Sequence, residues 1–118
     1  MRKKISLFLL VCGAGALFFI HCSSSSLGDQ LQFGIHAAQK DLWDEAIFRW
    51  KKVIQSNPES ASAHNNLAVA YEKKGWRDKA EEQYKKALSL DPNNSYIQSN
   101  YEKFKERPRS GEKENEKN

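Results

Sequence analysis

The chain has 118 residues, of which 39% are hydrophobic and 29% are charged, so it has room for one small domain. Its formal net charge is +4, but without Arg2, Lys3 and Lys4 the chain has 16 basic and 15 acidic residues. A protein that binds nucleic acid through its phosphates needs an excess of basic residues on one face. The nearly balanced charge of the rest of the chain therefore argues against nucleic acid as a partner.

The N-terminal segment has the pattern of a secretory signal. The basic start "MRKK" precedes "ISLFLLVCGAGALFFI", a run of sixteen residues without a charge. A transmembrane helix needs about 20 apolar residues to span the hydrocarbon core of a bilayer. A shorter apolar run behind positive charges is typical of a signal that is removed from the mature protein. We therefore predict a signal peptide at residues 1–21.

Cys22 directly follows this apolar run. The arrangement resembles the bacterial lipobox, in which the cysteine thiol is lipidated and the chain is then cut just before it. Phe19 and His21 depart from the usual pattern, which has a branched aliphatic residue and a small residue at these positions. The alternatives are an uncleaved or conventionally cleaved signal and a structural cysteine. Removal of Cys12 with the signal would leave Cys22 without a disulfide partner in the chain, which favours lipidation.

The lipobox resemblance implies a protein that is held by its lipid in the bacterial cell envelope. A diacylglycerol group supplies the two acyl chains that stable anchoring requires. Residues 22–26, "CSSSS", are then a flexible serine-rich tether. Because Ser23 is not the aspartate that retains many such proteins at the inner membrane, we expect the outer membrane.

A 34-residue period runs through the rest of the chain. Pro58 and Pro92 are 34 residues apart, and similar residues precede them at equal distances. The matched pairs are Val53 and Ala87, Trp50 and Tyr84, Ala46 and Ala80, Gly34 and Ala68, and Phe33 and Leu67. This period, with its small, aromatic and proline positions, resembles the tetratricopeptide repeat. The first copy departs from that family at Ala37, where an aromatic residue is usual, and at Asp41, where the turn glycine is usual.

The resemblance implies an all-α fold of antiparallel helix-turn-helix repeats in a short right-handed solenoid. The periodicity predicts five helices, at about 28–40, 43–56, 60–74, 77–90 and 94–106. Gly75 supplies the left-handed turn after the third helix, and Pro92 follows the end of the fourth. The predicted domain is 27–107, with repeats at about 27–60 and 61–94 and a capping helix at 94–107, followed by a disordered charged tail at 108–118.

Most of the conspicuous side chains are predicted to belong to the core. Trp50 stands where the repeat family buries an aromatic residue, Trp43 lies near a family position that packs between helices, and His64 replaces a core aromatic. For Trp76, partial exposure and contact with the next helix are equally compatible with the pattern. No histidines have metal-ligand spacing, and neither a phosphate-binding glycine loop nor a catalytic nucleophile is recognisable. We therefore expect no metal, no cofactor and no enzymatic activity.

The family resemblance implies a concave groove, lined by the first helix of each repeat, that holds a peptide. The groove positions are Leu31, Gln32, Ile35 and Gln39 in the first copy, and Asn65, Asn66, Val69, Glu72 and Lys73 in the second. Asn66 is of the type that hydrogen-bonds a ligand backbone, because its amide both donates and accepts. The alternative is that these residues are simply the polar face of a helix. Leu31 and Ile35 stand where a carboxylate-gripping clamp would need Lys and Asn, so that partner class is not expected.

The sequence therefore favours a lipid-anchored adaptor or assembly factor that binds a protein or peptide at the cell envelope. One alternative is an accessory subunit of an envelope enzyme, secretion or pilus complex. Another is a structural lipoprotein whose groove binds nothing. Two repeats are fewer than the roughly three that usually bury a continuous core, and Leu31 with Ile35 would leave an apolar patch. Self-association is a further way to cover such a patch.

Overall fold

The computed structural model describes residues 26–109. The helices are α1 (Leu27–Gln39), α2 (Trp43–Ser56), α3 (Ala61–Lys73), α4 (Arg77–Leu90) and α5 (Ser95–Glu106). These bounds agree with the predicted helices to within one residue, and no strand occurs between residues 26 and 109. The all-α prediction is confirmed. The predicted signal peptide, Cys22, most of the serine tether and the tail from residue 110 lie outside the described residues.

The helices α1, α3 and α5 begin with the same kind of cap at the same 34-residue interval. The N-cap residues are Ser26, Ser60 and Asn94. The Ser26 and Ser60 hydroxyls accept backbone hydrogen bonds at 3.2 and 3.3 Å, from the third residue of each helix. The Asn94 side chain accepts two, at 3.1 and 3.2 Å. Since a helix start leaves amide groups without internal partners, these side chains define where each helix begins.

The turns inside the two helix pairs have the same backbone shape although their residues differ. Gly75 has a φ of 75°, which confirms the predicted left-handed turn, and Asp41 has a φ of 57° at the equivalent place. In both turns the next amide closes back onto the preceding helix. Leu42 donates to the Ala37 carbonyl at 3.0 Å, and Trp76 donates to the Tyr71 carbonyl at 2.8 Å. The backbone thus reverses identically in both copies.

The helices pack as two pairs, α1 with α2 and α3 with α4, and α3 also packs on α2. Alanines are completely buried at these contacts, which lets the helix backbones approach closely; they are Ala46, Ala63, Ala68, Ala70, Ala80 and Ala87. Trp50 and Tyr84 are the large buried residues of the second helix in each pair. The predicted core position of Trp50 is thereby confirmed.

Helix α5 covers the C-terminal end of the stack. Ile97 and Phe104 are buried, and Tyr101 is half-buried on the same side of the helix. The rings of Tyr84 and Phe104 have centroids 5.2 Å apart. Arg77 donates to the Phe104 carbonyl at 3.2 Å, and its guanidinium lies 4.4 Å from the centroid of that ring. This apolar side of the helix packs chiefly against α4, so the predicted capping helix covers the end of the stack.

Candidate peptide-binding groove

The nine predicted groove residues lie on α1 and α3 and differ in their exposure. Gln32, Gln39 and Lys73 are exposed; Leu31, Ile35, Asn66, Val69 and Glu72 are half-buried; Asn65 is buried. Leu31, Ile35 and Val69 pack against the edge of the hydrophobic core. The apolar patch expected at Leu31 and Ile35 is thus a partly covered surface that adjoins the core.

Four of these residues meet in one cleft, which we call the α1–α3 cleft. Its volume is about 290 Å³, and Leu31, Ile35, Asn65 and Asn66 line it. The start of α5 closes it with Asn94, Tyr96 and Ile97. The cleft therefore combines aliphatic side chains from α1 with amide side chains from α3. The other predicted positions, Gln32, Gln39, Val69, Glu72 and Lys73, do not line it.

Asn65 connects α3 to α5. Its side chain is only 1% exposed. Its Oδ1 accepts a hydrogen bond from Asn100 at 3.1 Å, and its Nδ2 donates to Oδ1 of Asn66 at 3.4 Å. The amide oxygen of Asn65 is therefore used inside the protein, whereas Asn66 is half-buried and lines the cleft. Within residues 26–109 no hydrogen bond uses Nδ2 of Asn66.

Glu72 is also engaged inside the protein. It accepts a hydrogen bond from the Tyr84 hydroxyl at 3.0 Å and forms an ion pair with Arg107 after the end of α5. Burial raises the pKa of Tyr84 to about 12, so its hydroxyl keeps the proton that it donates. These contacts tie α3 to α4 and to the end of α5.

The tryptophans and the buried histidine also have structural contacts. Trp43 is half-buried against the core, as predicted, and the Lys73 ammonium lies 5.9 Å from its ring centroid. Trp76 is 42% exposed and lies 5.6 Å from the Tyr71 ring, so partial exposure is what the structure shows. His64 is buried, with one ring nitrogen 2.7 Å from Gln83 Oε1 and the other 2.9 Å from the Pro58 carbonyl. The predicted core role of His64 is confirmed.

Among residues 26–109, no group of three or more His, Cys, Asp or Glu side chains is arranged to hold a metal ion. None of the helices described for this chain has the length and apolar character needed to cross a membrane.

A second cleft, absent from the sequence expectations, lies between α2 and α4 above α3; we call it the α2–α4 cleft. Its volume is about 460 Å³. Phe48, Lys51 and Lys52 of α2 line one side, and Leu67 and Tyr71 of α3 lie beneath. A signal for it was present in the sequence, because Phe48 is a large apolar residue at a position where the second repeat has a glutamate.

Two family models match this chain. The model described as tetratricopeptide repeat matches residues 61–94, and the one described as TPR repeat matches residues 38–75. The first range contains α3, α4 and the turn between them, and the second runs from the end of α1 through α2 and α3. The chain therefore contains tetratricopeptide repeats over residues 38–94.

The comparison with curated proteins gives relatives of different kinds. The type IV pilus assembly protein PilF of Pseudomonas aeruginosa is 32% identical over 74 residues, which is 63% of this chain and 29% of PilF. The protein O-mannosyl-transferase TMTC4 of Mus musculus is 49% identical over 41 residues, which is 35% of this chain and 6% of that protein. The chain thus spans less than a third of either relative. The repeats themselves support a role in protein–protein interaction.

Proposed function

We propose that this protein is a lipid-anchored adaptor or assembly factor that binds a protein partner at the bacterial cell envelope. The observation that carries the proposal is the α1–α3 cleft of the repeat domain, which two aliphatic side chains and the Asn66 amide line together. The similarity to PilF, which is named as a pilus assembly protein, supports a role in assembly at the envelope. Peptide-binding clefts need this combination of apolar contact and a few placed polar groups.

The partner is a peptide segment that crosses α1 and α3. An apolar side chain of the peptide packs on Leu31 and Ile35, which keep part of their surface exposed. Because Asn65 occupies the Oδ1 acceptor of Asn66, the Nδ2 donor of Asn66 is directed to a peptide carbonyl. The hydrogen bond from Asn100 fixes Asn65 and thereby orients Asn66 before the ligand arrives.

The anchor is the lipidated Cys22, exposed by removal of the signal peptide at residues 1–21. Residues 22–26 form the tether, 27–107 the repeat domain and 108–118 the charged tail. The outer membrane is the favoured site, and the protein acts by binding, without enzymatic activity or a cofactor. The members of the repeat family are generally non-enzymatic scaffolds, which supports a role in binding.

A second candidate is an accessory subunit of an envelope enzyme, secretion or pilus complex. The similarity to PilF, named as a pilus assembly protein, favours it. It predicts one dominant partner that is recovered together with the protein in stoichiometric amount. A structural lipoprotein with an empty groove predicts instead that Asn66→Ala changes neither partner recovery nor phenotype.

Site-specific photo-crosslinking tests the groove. Tyr96 lines the α1–α3 cleft and is 66% exposed, so a photoreactive phenylalanine derivative replaces it without disturbing the core. In envelope membranes we expect one dominant crosslinked partner that becomes much weaker with Asn66→Ala. The control places the same photoreactive group at Lys86, an exposed position of α4. Equal products from both positions, or no effect of Asn66→Ala, would contradict peptide binding in this groove.

A further inference from the structure

The α2–α4 cleft combines apolar and charged residues in the way of a protein-binding surface, and it is separate from the α1–α3 cleft. Its lining is chiefly apolar and includes Ile54, Leu67 and Tyr71. Phe48 stands at its edge and is 49% exposed, so it adds apolar surface beside the cleft. With about 460 Å³, the cleft has room for a large side chain of a partner.

The charge at this cleft is of one sign. Lys51 and Lys52 line it, and no carboxylate does. The Lys52 ammonium lies 4.6 Å from the centroid of the Phe48 ring, which holds the cation over an apolar surface. In the part of the chain that the structure covers, neither lysine forms an ion pair. The apolar cleft is thus bordered by two cations that lack a counter-charge.

Comparison of the two repeats shows why these lysines have none. Their equivalents 34 residues later are Lys85 and Lys86, which follow Glu81 and Glu82 by four residues. Lys85 pairs with Glu81 at 2.7 Å, and this contact lowers the pKa of the Glu81 carboxyl. Such pairs are the usual stabilising arrangement on an exposed helix surface.

In the first repeat, Ile47 and Phe48 stand four residues before the two lysines, in place of the glutamates. Ile47 is buried in the core, whereas Phe48 faces outward at the cleft. Compared with the second repeat, the first therefore lacks a carboxylate at Phe48 and has exposed apolar surface there. A partner with an apolar side chain and carboxylates would cover this surface and pair with the lysines.

We propose that the α2–α4 cleft binds an acidic segment of a protein partner, with an aromatic side chain against Phe48 and Leu67 and carboxylates against Lys51 and Lys52. This site is separate from the α1–α3 cleft, because the two clefts share no lining residue. The protein then has two binding surfaces, one for an extended peptide and one for an acidic segment, which is the property that an assembly factor needs to join two components.

The probe for this test is a fluorescein-labelled synthetic peptide with one tryptophan flanked on each side by three glutamates. Its binding to the purified full-length chain in neutral detergent is followed by fluorescence anisotropy. We expect the double variant Lys51→Glu with Lys52→Glu to bind about tenfold or more weakly, since two attractive contacts become repulsive. Peptides with serine in place of tryptophan, or lysine in place of glutamate, are expected to bind weakly.

The second repeat provides the matched control. Lys85→Glu with Lys86→Glu changes the net charge by the same amount at the equivalent positions, and we expect it to change the affinity less than about twofold. Phe48→Ser, at an exposed position, is expected to weaken binding about fivefold and to leave the helical circular dichroism intact. Asn66→Ala should leave binding of this probe unchanged, which separates this site from the groove.

Three results would overturn the proposal. Equal losses from the two lysine pairs would mean that the probe responds only to net charge. An undiminished affinity in the Phe48→Ser variant would mean that the apolar cleft takes no part. Failure of the unaltered protein to bind the probe would remove the basis for the site altogether.

Discussion

The two repeats solve the same packing problem with different residues, and the comparison shows what the fold requires. The first repeat has Trp50 where the second has Tyr84, and Gly34 where the second has Ala68. A Cβ atom added to Gly34 would lie 2.3 Å from Nε1 of Trp50, so only glycine fits beside the larger ring. The repeats therefore preserve the combined size of two facing residues, and neither identity is fixed alone.

The same holds for a polar contact between the helices of each pair. In the first repeat, Arg49 donates to Oε1 of Gln30 at 3.1 Å. In the second, His64 and Gln83 stand at the equivalent positions and lie 2.7 Å apart. Both repeats thus have a hydrogen-bonded pair at this place, made by different side chains. His64 is thus explained by its position in the repeat.

The repeats differ most where they meet their surroundings. Leu67 on α3 is 3% exposed, since α2 packs over it, whereas its equivalent Phe33 on α1 is 50% exposed. The Arg49 guanidinium lies 5.6 Å from the centroid of the Phe33 ring. A cation–π contact of this kind covers part of the exposed apolar surface of Phe33.

The largest effect is expected from breaking the size match in the first repeat. Gly34→Ala should lower the free energy of unfolding by about 2–3 kcal/mol, because the added methyl group overlaps the Trp50 ring. Adding Trp50→Tyr should recover part of this loss by reproducing the second repeat. Urea denaturation followed by circular dichroism measures both. A double variant no more stable than Gly34→Ala alone would refute the size match.

His64→Ala should follow in magnitude. It removes the buried polar contacts of the ring with the side-chain amide of Gln83 and the carbonyl of Pro58, which should cost about 2 kcal/mol of unfolding free energy. The control is His36→Ala, since His36 is exposed. Equal destabilisation by the two substitutions would show that the buried hydrogen bonds of His64 contribute nothing.

Tyr84 should make the free energy of unfolding depend on alkaline pH, whereas its equivalent Trp50 has no ionisable group and cannot. Burial raises the pKa of Tyr84 from 10.0 to about 12, so the folded protein holds this proton more tightly than the unfolded chain. The resulting stability is complete below pH 10 and is lost as the pH rises from 10 to about 12. Tyr84→Phe should flatten the fall in unfolding free energy over this range, as measured by chemical denaturation. An unchanged slope would assign the alkaline loss to other groups.

The smallest effect concerns the two turns. Asp41 has a positive φ of 57°, which glycine adopts more easily, so Asp41→Gly should stabilise the fold by up to about 1 kcal/mol. Gly75→Ala should destabilise it by about 1 kcal/mol, because the φ of 75° is unfavourable for a side chain. Thermal unfolding of both variants measures the pair. Destabilisation by Asp41→Gly would show that the aspartate side chain stabilises its turn.

The 34-residue period was sufficient to predict the helices, the turns and most of the core. The site was less predictable, because contacts made far along the chain decide which polar residues face outward. Asn65 is buried and accepts a hydrogen bond from Asn100. Glu72 accepts a hydrogen bond from Tyr84 and pairs with Arg107. The α2–α4 cleft depends on differences between the repeats, such as Phe48 where the second repeat has a glutamate. The positions that the two repeats share do not predict it.

The proposed function depends first on where the chain is held, and the intact mass of the mature protein tests this most directly. The protein is isolated from a bacterial membrane fraction and its mass is measured without digestion. We predict a chain that begins at Cys22 and carries the additional mass of acyl chains. A chain that retains Met1, or that is cut elsewhere and carries no lipid, would contradict the anchor and leave Cys22 as an ordinary thiol.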